Sequence, residues 1–355
     1  MARGVRPPPE MRSLRTFITS LLLVLGLLAL LLAPQLAAAK PPDKAFRIGI
    51  LERTSPAINA ANIEAFREGL AEFGYVEGKH FVIEYRSAEG HDDRLPVLAA
   101  ELVRLKVDLI LTRGTPPALA AKNATATIPI IITGVGDPVG QGIVASLARP
   151  GGNVTGLSAA VTEIYPKRVQ LLRELVPKAT RVAVLFNMGN PALPPQWKEV
   201  EKAARSFGMQ PQLLDVRKRD DIEPAFDTAV KQRADALVVG IETLTQANQG
   251  LIVNLAATRR LPAMYASSEF TGGLISYGVN YPDMYRQAAR FADKIFRGAR
   301  PADLPVEEPK TLELVINAKT ARALGLTIPP SLRLRANRLT EDAIPSFGFR
   351  PVEAP

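Results

Sequence analysis

The chain has 355 residues, 47% of them hydrophobic and 22% charged, with 25 Gly, 30 Pro, two His and no Cys, a length for about two domains of ~100–200 residues and too apolar for a disordered chain. The lack of Cys excludes a disulfide scaffold, an iron–sulfur cluster, a thiolate zinc site and a Cys nucleophile, and His80 and His91 alone argue against a histidine-built metal centre. The formal charge is +9, yet Arg217-Lys218-Arg219 runs straight into Asp220-Asp221 and no basic stripe is visible, so nucleic acid is not an expected partner.

In chain order, Arg12 and Arg15 precede the apolar run Phe17–Ala33, Pro34 ends it, and Ala37-Ala38-Ala39 stands before Lys40. A basic start, an apolar stretch and a small-residue site describe a secretory signal peptide over residues 1–39. The run also approaches the ~17–25 residues of a membrane anchor, which the small-residue site disfavours. Without Cys there is no lipoprotein attachment site, so a periplasmic protein is expected.

The remainder alternates apolar runs with helical spacing. Strands are expected at Phe46–Leu51, Phe81–Arg86, Val107–Thr112 and Ile128–Thr133, with helices at Ile58–Phe73, Asp92–Leu105 and Pro116–Asn123 between them. After the turn cluster Pro150-Gly151-Gly152-Asn153 the alternation restarts. Helices Thr162–Val176, Gln196–Phe207, Asp221–Gln232 and Leu244–Arg259 intersperse strands Arg181–Phe186, Gln212–Val216, Ala236–Val239 and Pro262–Ala266. Leu274–Val279, helix Met284–Phe296 and a last strand Leu312–Ile316 follow. Unbroken apolar strands fit parallel sheets covered on both faces. The fold class is therefore α/β, with two doubly wound parallel-sheet lobes facing a cleft, where ligands of open sheets sit.

Several blocks occur as an ordered set: Phe66-Arg67-Glu68-Gly69-Leu70, Gly114-Thr115-Pro116, Gly136-Asp137-Pro138-Val139-Gly140, and Arg149-Pro150-Gly151-Gly152-Asn153-Val154-Thr155-Gly156. Gly272-Gly273-Leu274 with Tyr277-Gly278, and Ala323-Leu324-Gly325-Leu326-Thr327-Ile328-Pro329-Pro330-Ser331-Leu332, complete it. The set resembles the ABC-transporter substrate-binding proteins that include the tryptophan/tyrosine-binding ones, over about Phe46 to Glu341. The resemblance implies a type I periplasmic-binding fold whose chain crosses between lobes three times. On that basis lobe 1 comprises 46–158 and about 274–300, lobe 2 comprises 159–273 and about 306–341, and 342–355 is a tail. Hinges are expected near 156–160, 272–274 and 301–309.

The implied function is extracytoplasmic capture of a small solute, an amino acid or small organic anion, by hinge closure. Delivery to an ABC permease follows, without catalysis or cofactor, as a monomer. A sensory module for a membrane receptor is the alternative, and an enzyme on the same fold a weaker one, since no nucleophile elbow is present. Candidate ligand contacts are polar residues after apolar strands: Ser55, Thr115, Asp137, Ser158, Asn187, Glu242, Ser267 and Asn280. Thr115 and Ser55 beside helix starts suit a carboxylate, and Glu242 suits an ammonium. Tyr165, Tyr265 and Trp197 are candidates to cover an aromatic group. Gly134-Val135-Gly136-Asp137-Pro138-Val139-Gly140 imitates a dinucleotide fingerprint with one residue too many. Asp137 as N-cap with Pro138 as first helical residue explains it better.

Overall fold

The apolar runs become strands because their side chains on both faces are covered. The computed structural model describes residues 44–159, 164–240, 242–309 and 312–343. Residues 1–39, expected from the sequence to be a signal peptide, and most of the tail lie outside these. The first sheet contains β1 (Phe46–Glu52), β2 (Phe81–Ser87), β3 (Leu109–Arg113), β4 (Ile130–Val135) and β5 (Val154–Ser158). Its order is β2-β1-β3-β4-β5 with every pair parallel. Register sets Ile48 against Ile83 and Leu109, and Ile50 against Leu111. Helices α1 (Ala60–Glu72), α2 (Leu95–Arg104) and α3 (Thr115–Ala124) supply the crossovers.

The second lobe begins with α4 (Ile164–Leu175) and continues through β6 (Arg181–Phe186), α5 (Leu193–Ser206), β7 (Gln210–Asp215), α6 (Ile222–Lys231) and β8 (Ala236–Val239). Then come α7 (Thr243–Ala247), α8 (Gln249–Thr258), β9 (Ala263–Tyr265) and β10 (Ile275–Gly278). After α9 (Tyr281–Phe296) the chain adds β11 (Glu313–Asn317), α10 (Ala318–Ala323), α11 (Pro330–Arg335) and β12 (Arg338–Thr340). The second sheet runs β12-β11-β10-β9-β8-β6-β7, parallel except for β10 with β11. These two facing α/β sheets are the architecture expected from the sequence.

Three details differ from expectation. The stretch predicted as one helix over 244–259 breaks at Asn248, whose Nδ2 donates to the Leu244 carbonyl at 2.9 Å and competes with the backbone ladder. Asp137 opens a turn and not a helix: its Oδ1 accepts from Gly140 N at 2.8 Å, and the chain then winds through bends to β5. The lobe boundaries also shift. Residues 274–278 belong to the second sheet, and the chain re-enters the first lobe only between Gly278 and Val279, which joins that lobe's core. Gly278 is required there, since a Cβ would stand 1.9 Å from the Ala266 carbonyl oxygen.

Helix α9 completes the first lobe. Its buried side chains Tyr281, Met284, Tyr285, Ala288, Ala289, Phe291, Ala292 and Phe296 recur at helical spacing. It lies so close to α1 that a Cβ on Gly69 would be 2.6 Å from the Arg286 carbonyl oxygen. Beyond α9 the chain remains on the first lobe longer than expected. Glu307 bridges to Leu157, with Glu307 N donating to Gly156 O at 2.9 Å, and Val306 is buried among that lobe's side chains. The final crossing lies between Glu307 and β11, so 306–307 belong to lobe 1.

Candidate functional site

The carboxyl ends of both sheets converge on one cleft, and their polar side chains close it. After β1, Arg53 reaches across to Glu242, which follows β8: Nη1 to Oε2 is 2.8 Å, with both side chains buried. Arg53 also pairs with Asp92 in its own lobe. At the end of β3, Arg113 reaches Glu269, which follows β9, at 2.9 Å. Asn62 of α1 donates to the same carboxylate at 2.7 Å. Two arginine bridges thus tie lobe to lobe.

Behind them lies a second buried group. Glu52 accepts from the Tyr285 hydroxyl and, at 3.4 Å, from Asn59 Nδ2, while its Oε2 has no hydrogen-bond partner among the described residues. Burial raises the Glu52 pKa, against the pull of Arg113. Burial also works against the charge of Arg113, but Glu269 and Glu52 outweigh it and hold its pKa well above the ordinary value. Asp92 is pushed up to about 6, chiefly by burial, with Arg53 opposing. On the second-lobe side Arg168 is fully buried and donates to the carbonyls of Tyr277 at 2.7 Å and Ala266 at 3.0 Å, tying the ends of β10 and β9. Its guanidinium stacks 4.7 Å from the Tyr165 ring centroid.

Two chambers remain. An inner one of about 20 Å³ is lined by Arg113, Thr115, Asn190, Gln196, Glu242, Gln246 and Tyr281, among others. An outer one of about 120 Å³ shares Gly136, Ala192 and Gln196 with it and adds Tyr165, Pro195, Asp137 and Glu199. The inner volume admits about one water. Gln196 is buried, and its Oε1 has no hydrogen-bond partner among the described residues. The cleft is closed and polar within, and its outer chamber is mixed, with Tyr165, Ala192 and Pro195 beside Asp137 and Glu199.

The residues expected from the sequence divide unevenly. Thr115 and Glu242 line the inner chamber and Asp137 the outer. Asn187 lies 3.4 Å from Glu242, and Ser267 Oγ lies 3.5 Å from Glu269. Ser158 is buried beside the first crossing, and its Oγ has no hydrogen-bond partner among the described residues. Ser55 is spent on the turn before α1, accepting from Ile58 N at 3.4 Å, and Asn280 caps α9, accepting from Asp283 N at 3.0 Å. Thr115 has fewer helpers than expected: Pro116 and Pro117 have no N–H, and Gly114 N is taken by Thr133 O. Glu242 does not face water, since it bridges to Arg53 and caps α7 through Thr245 N at 2.8 Å. Of the aromatics, Tyr165 lines the outer chamber, whereas Tyr265 stacks on Phe270 and Trp197 packs on the second-lobe core.

Sequence reasoning passed over Arg53, Arg113, Asn62, Gln196, Gln246, Glu269 and Tyr281. Arg53 and Arg113 carry a usable signal, since each directly follows or ends an apolar strand. The residues from helices carry none, because a polar side chain on a helix reads as a solvated face until the opposing lobe is in place.

Residues 48–340 match the family model described as ABC transporter substrate binding protein. A tyrosine-binding protein of Clostridioides difficile (strain R20291) is 29% identical over 273 residues, 76% of this chain and 78% of its own. An ABC domain from Streptococcus pneumonia, solved in complex with L-Trp, is 27% identical with a TM-score of 0.77, covering 83% of this chain and 100% of its own. A ligand-free, open substrate-binding protein from Clostridium difficile, with adhesive properties, is 26% identical over 83% of this chain and 99% of its own. Its TM-score is 0.60. At nearly equal identity the present structure follows the ligand-bound relative, in keeping with its bridged cleft. Such proteins bind small solutes outside the cytoplasm and are binding proteins by family. No helix among the described residues is long and apolar enough to cross a membrane. The chain belongs to the ABC transporter substrate-binding protein family.

Proposed function

We propose that this chain captures an amino acid with an aromatic or large apolar side chain and delivers it to an ABC permease, as a monomer. The observation that carries this is the unpartnered Gln196 Oε1 at the junction of the two chambers. A buried acceptor without a donor costs about 1–3 kcal/mol, and a ligand ammonium would satisfy it, with Glu242 nearby to balance the charge. The outer chamber, with Tyr165 and Pro195, then receives the side chain. The tyrosine- and tryptophan-binding relatives support the same class.

Calorimetric titration with L-tryptophan and L-tyrosine tests the proposal. Binding without turnover is expected, and Gln196→Ala should weaken it by about 1.5–3 kcal/mol, the worth of a hydrogen bond to a charged group. Binding of neutral polyols in preference to any amino acid would overturn it. Export follows from the N-terminal pattern: we propose cleavage after Ala39, so that a periplasmic fraction yields a chain starting at Lys40. A membrane-retained full-length chain would contradict this.

A further inference from the structure

Glu269 is held as a bound ligand would be. Its Oε1 accepts from Asn62 Nδ2 at 2.7 Å and Arg113 Nη1 at 2.9 Å. Its Oε2 accepts from Gln246 Nε2 at 2.7 Å, with Arg113 Nη1 at 3.2 Å and Ser267 Oγ at 3.5 Å. These donors come from α1, β3, α7 and the start of the β9–β10 loop, two from each lobe. All four donor residues are at most 3% exposed, whereas the Glu269 side chain is 20% exposed. Asn62, Arg113 and Gln246 are fixed in the walls, and Ser267 and the acid come from one loop. The backbone of that loop is pinned, since Phe270 stacks on Tyr265 and Gly272 O accepts from Thr320 Oγ1 at 2.8 Å, so the part free to swing is the partly exposed Glu269 side chain.

Arg113 and Gln246 also line the inner chamber, which has room for about one water. In this closed arrangement a solute fits only where something is displaced. Glu269 is the group whose departure both makes room and leaves a set of donors matched to a carboxylate. Exchanging one carboxylate for another keeps the buried Arg113 paired. A neutral solute would leave that guanidinium with Glu52 alone, at 3.5 Å, a weaker pairing for a buried charge.

We infer that Arg113, Asn62, Gln246 and Ser267 form a carboxylate receptor spanning both lobes, that the Glu269 side chain occupies it in the closed arrangement described here, and that the solute's carboxylate takes its place. The identity of the solute as an amino acid rests on the function proposed above; the receptor itself does not. It selects monoanionic carboxylate head groups over neutral ones. A rival role for Glu269, as a latch that stays in place when solute binds, predicts opposite results.

The experiment is a thermal-shift comparison of wild type, Glu269→Ala and the double variant Arg113→Met/Glu269→Ala in sodium acetate against sodium chloride of equal ionic strength. Acetate should raise the melting temperature of Glu269→Ala and leave wild type and the double variant unchanged. Should Glu269→Ala fail to fold, the isosteric Glu269→Gln carries the same comparison. Calorimetry adds a second reading: Glu269→Gln should bind L-tryptophan about tenfold or more tightly than wild type, because the charged competitor is gone. No acetate response in a folded Glu269 variant, or weaker binding by Glu269→Gln, would overturn the inference. An acetate response with no amino acid bound by any form would keep the receptor and remove the amino-acid assignment.

Discussion

Glu242 shows how far a residue's role depends on what faces it. From the sequence it is an acid after an apolar strand, pointing into an open cleft. In the structure it is buried, caps α7 and opposes Arg53 from the other lobe. Glu242→Gln keeps an acceptor for the cap but removes the charge. Breaking a buried pair costs about 3–5 kcal/mol; Asp92 still accompanies Arg53, so we expect about 2–3 kcal/mol, read from urea unfolding of the empty protein. Asp92 itself gives a pH dependence. Its carboxyl holds a proton up to about pH 6 when folded, while an unfolded chain releases it near ~4. The folded state binds more protons between those values, so the stability this group contributes falls as pH rises through that window. Asp92→Asn should remove that slope in denaturation measured from pH 4 to 7. An unchanged slope would place the titration elsewhere.

At the scale of elements, α1 and α9 make the tightest joint in the first lobe. Alanine is the better helix former by about 1 kcal/mol, yet a Cβ at Gly69 would meet the Arg286 carbonyl at 2.6 Å and the Ala289 Cβ at 2.8 Å. Gly69→Ala should therefore destabilise by a net ~1–3 kcal/mol, measurable as a lower urea midpoint. A neutral or stabilising result would mean that the helices can part without loss. Elements of this kind were also where the sequence was most and least legible. Runs such as Arg181–Phe186 declare buried parallel strands, because no solvated face interrupts them. The three-residue β12 has too few residues to show a period, and Asn248 breaks a helix through one side-chain bond that propensity does not register. The lobe to which β10 belongs was hidden for another reason: an apolar strand fits either sheet, and pairing alone decides. The same limit hid half the cleft, since Asn62, Gln196 and Gln246 are polar helix positions whose partners lie far away in sequence.

At the scale of the molecule, the closed cleft is bridged by Arg53–Glu242 and Arg113–Glu269. Glu242→Gln should release one bridge, so that the empty variant scatters with a larger radius of gyration than empty wild type, and saturating solute should reduce the difference. Equal radii for both empty forms would show that one bridge suffices.

The late return of α9 to the first lobe has a consequence for how the protein is made. A chain synthesised through β10 carries a finished set of first-sheet strands, but the helix that must cover α1 and β4 has not yet appeared. Neither lobe is continuous in sequence, so the usual order in which the N-terminal domain folds while the next is still being translated is not open to it. The nascent first lobe carries an uncovered apolar face for most of translation. It matures only after about residue 296, when Tyr285, Ala288 and Phe291 can reach the core. A chain built this way cannot complete its first core until it is nearly finished, which favours keeping it threadable and makes shielding of its apolar surface useful during that interval.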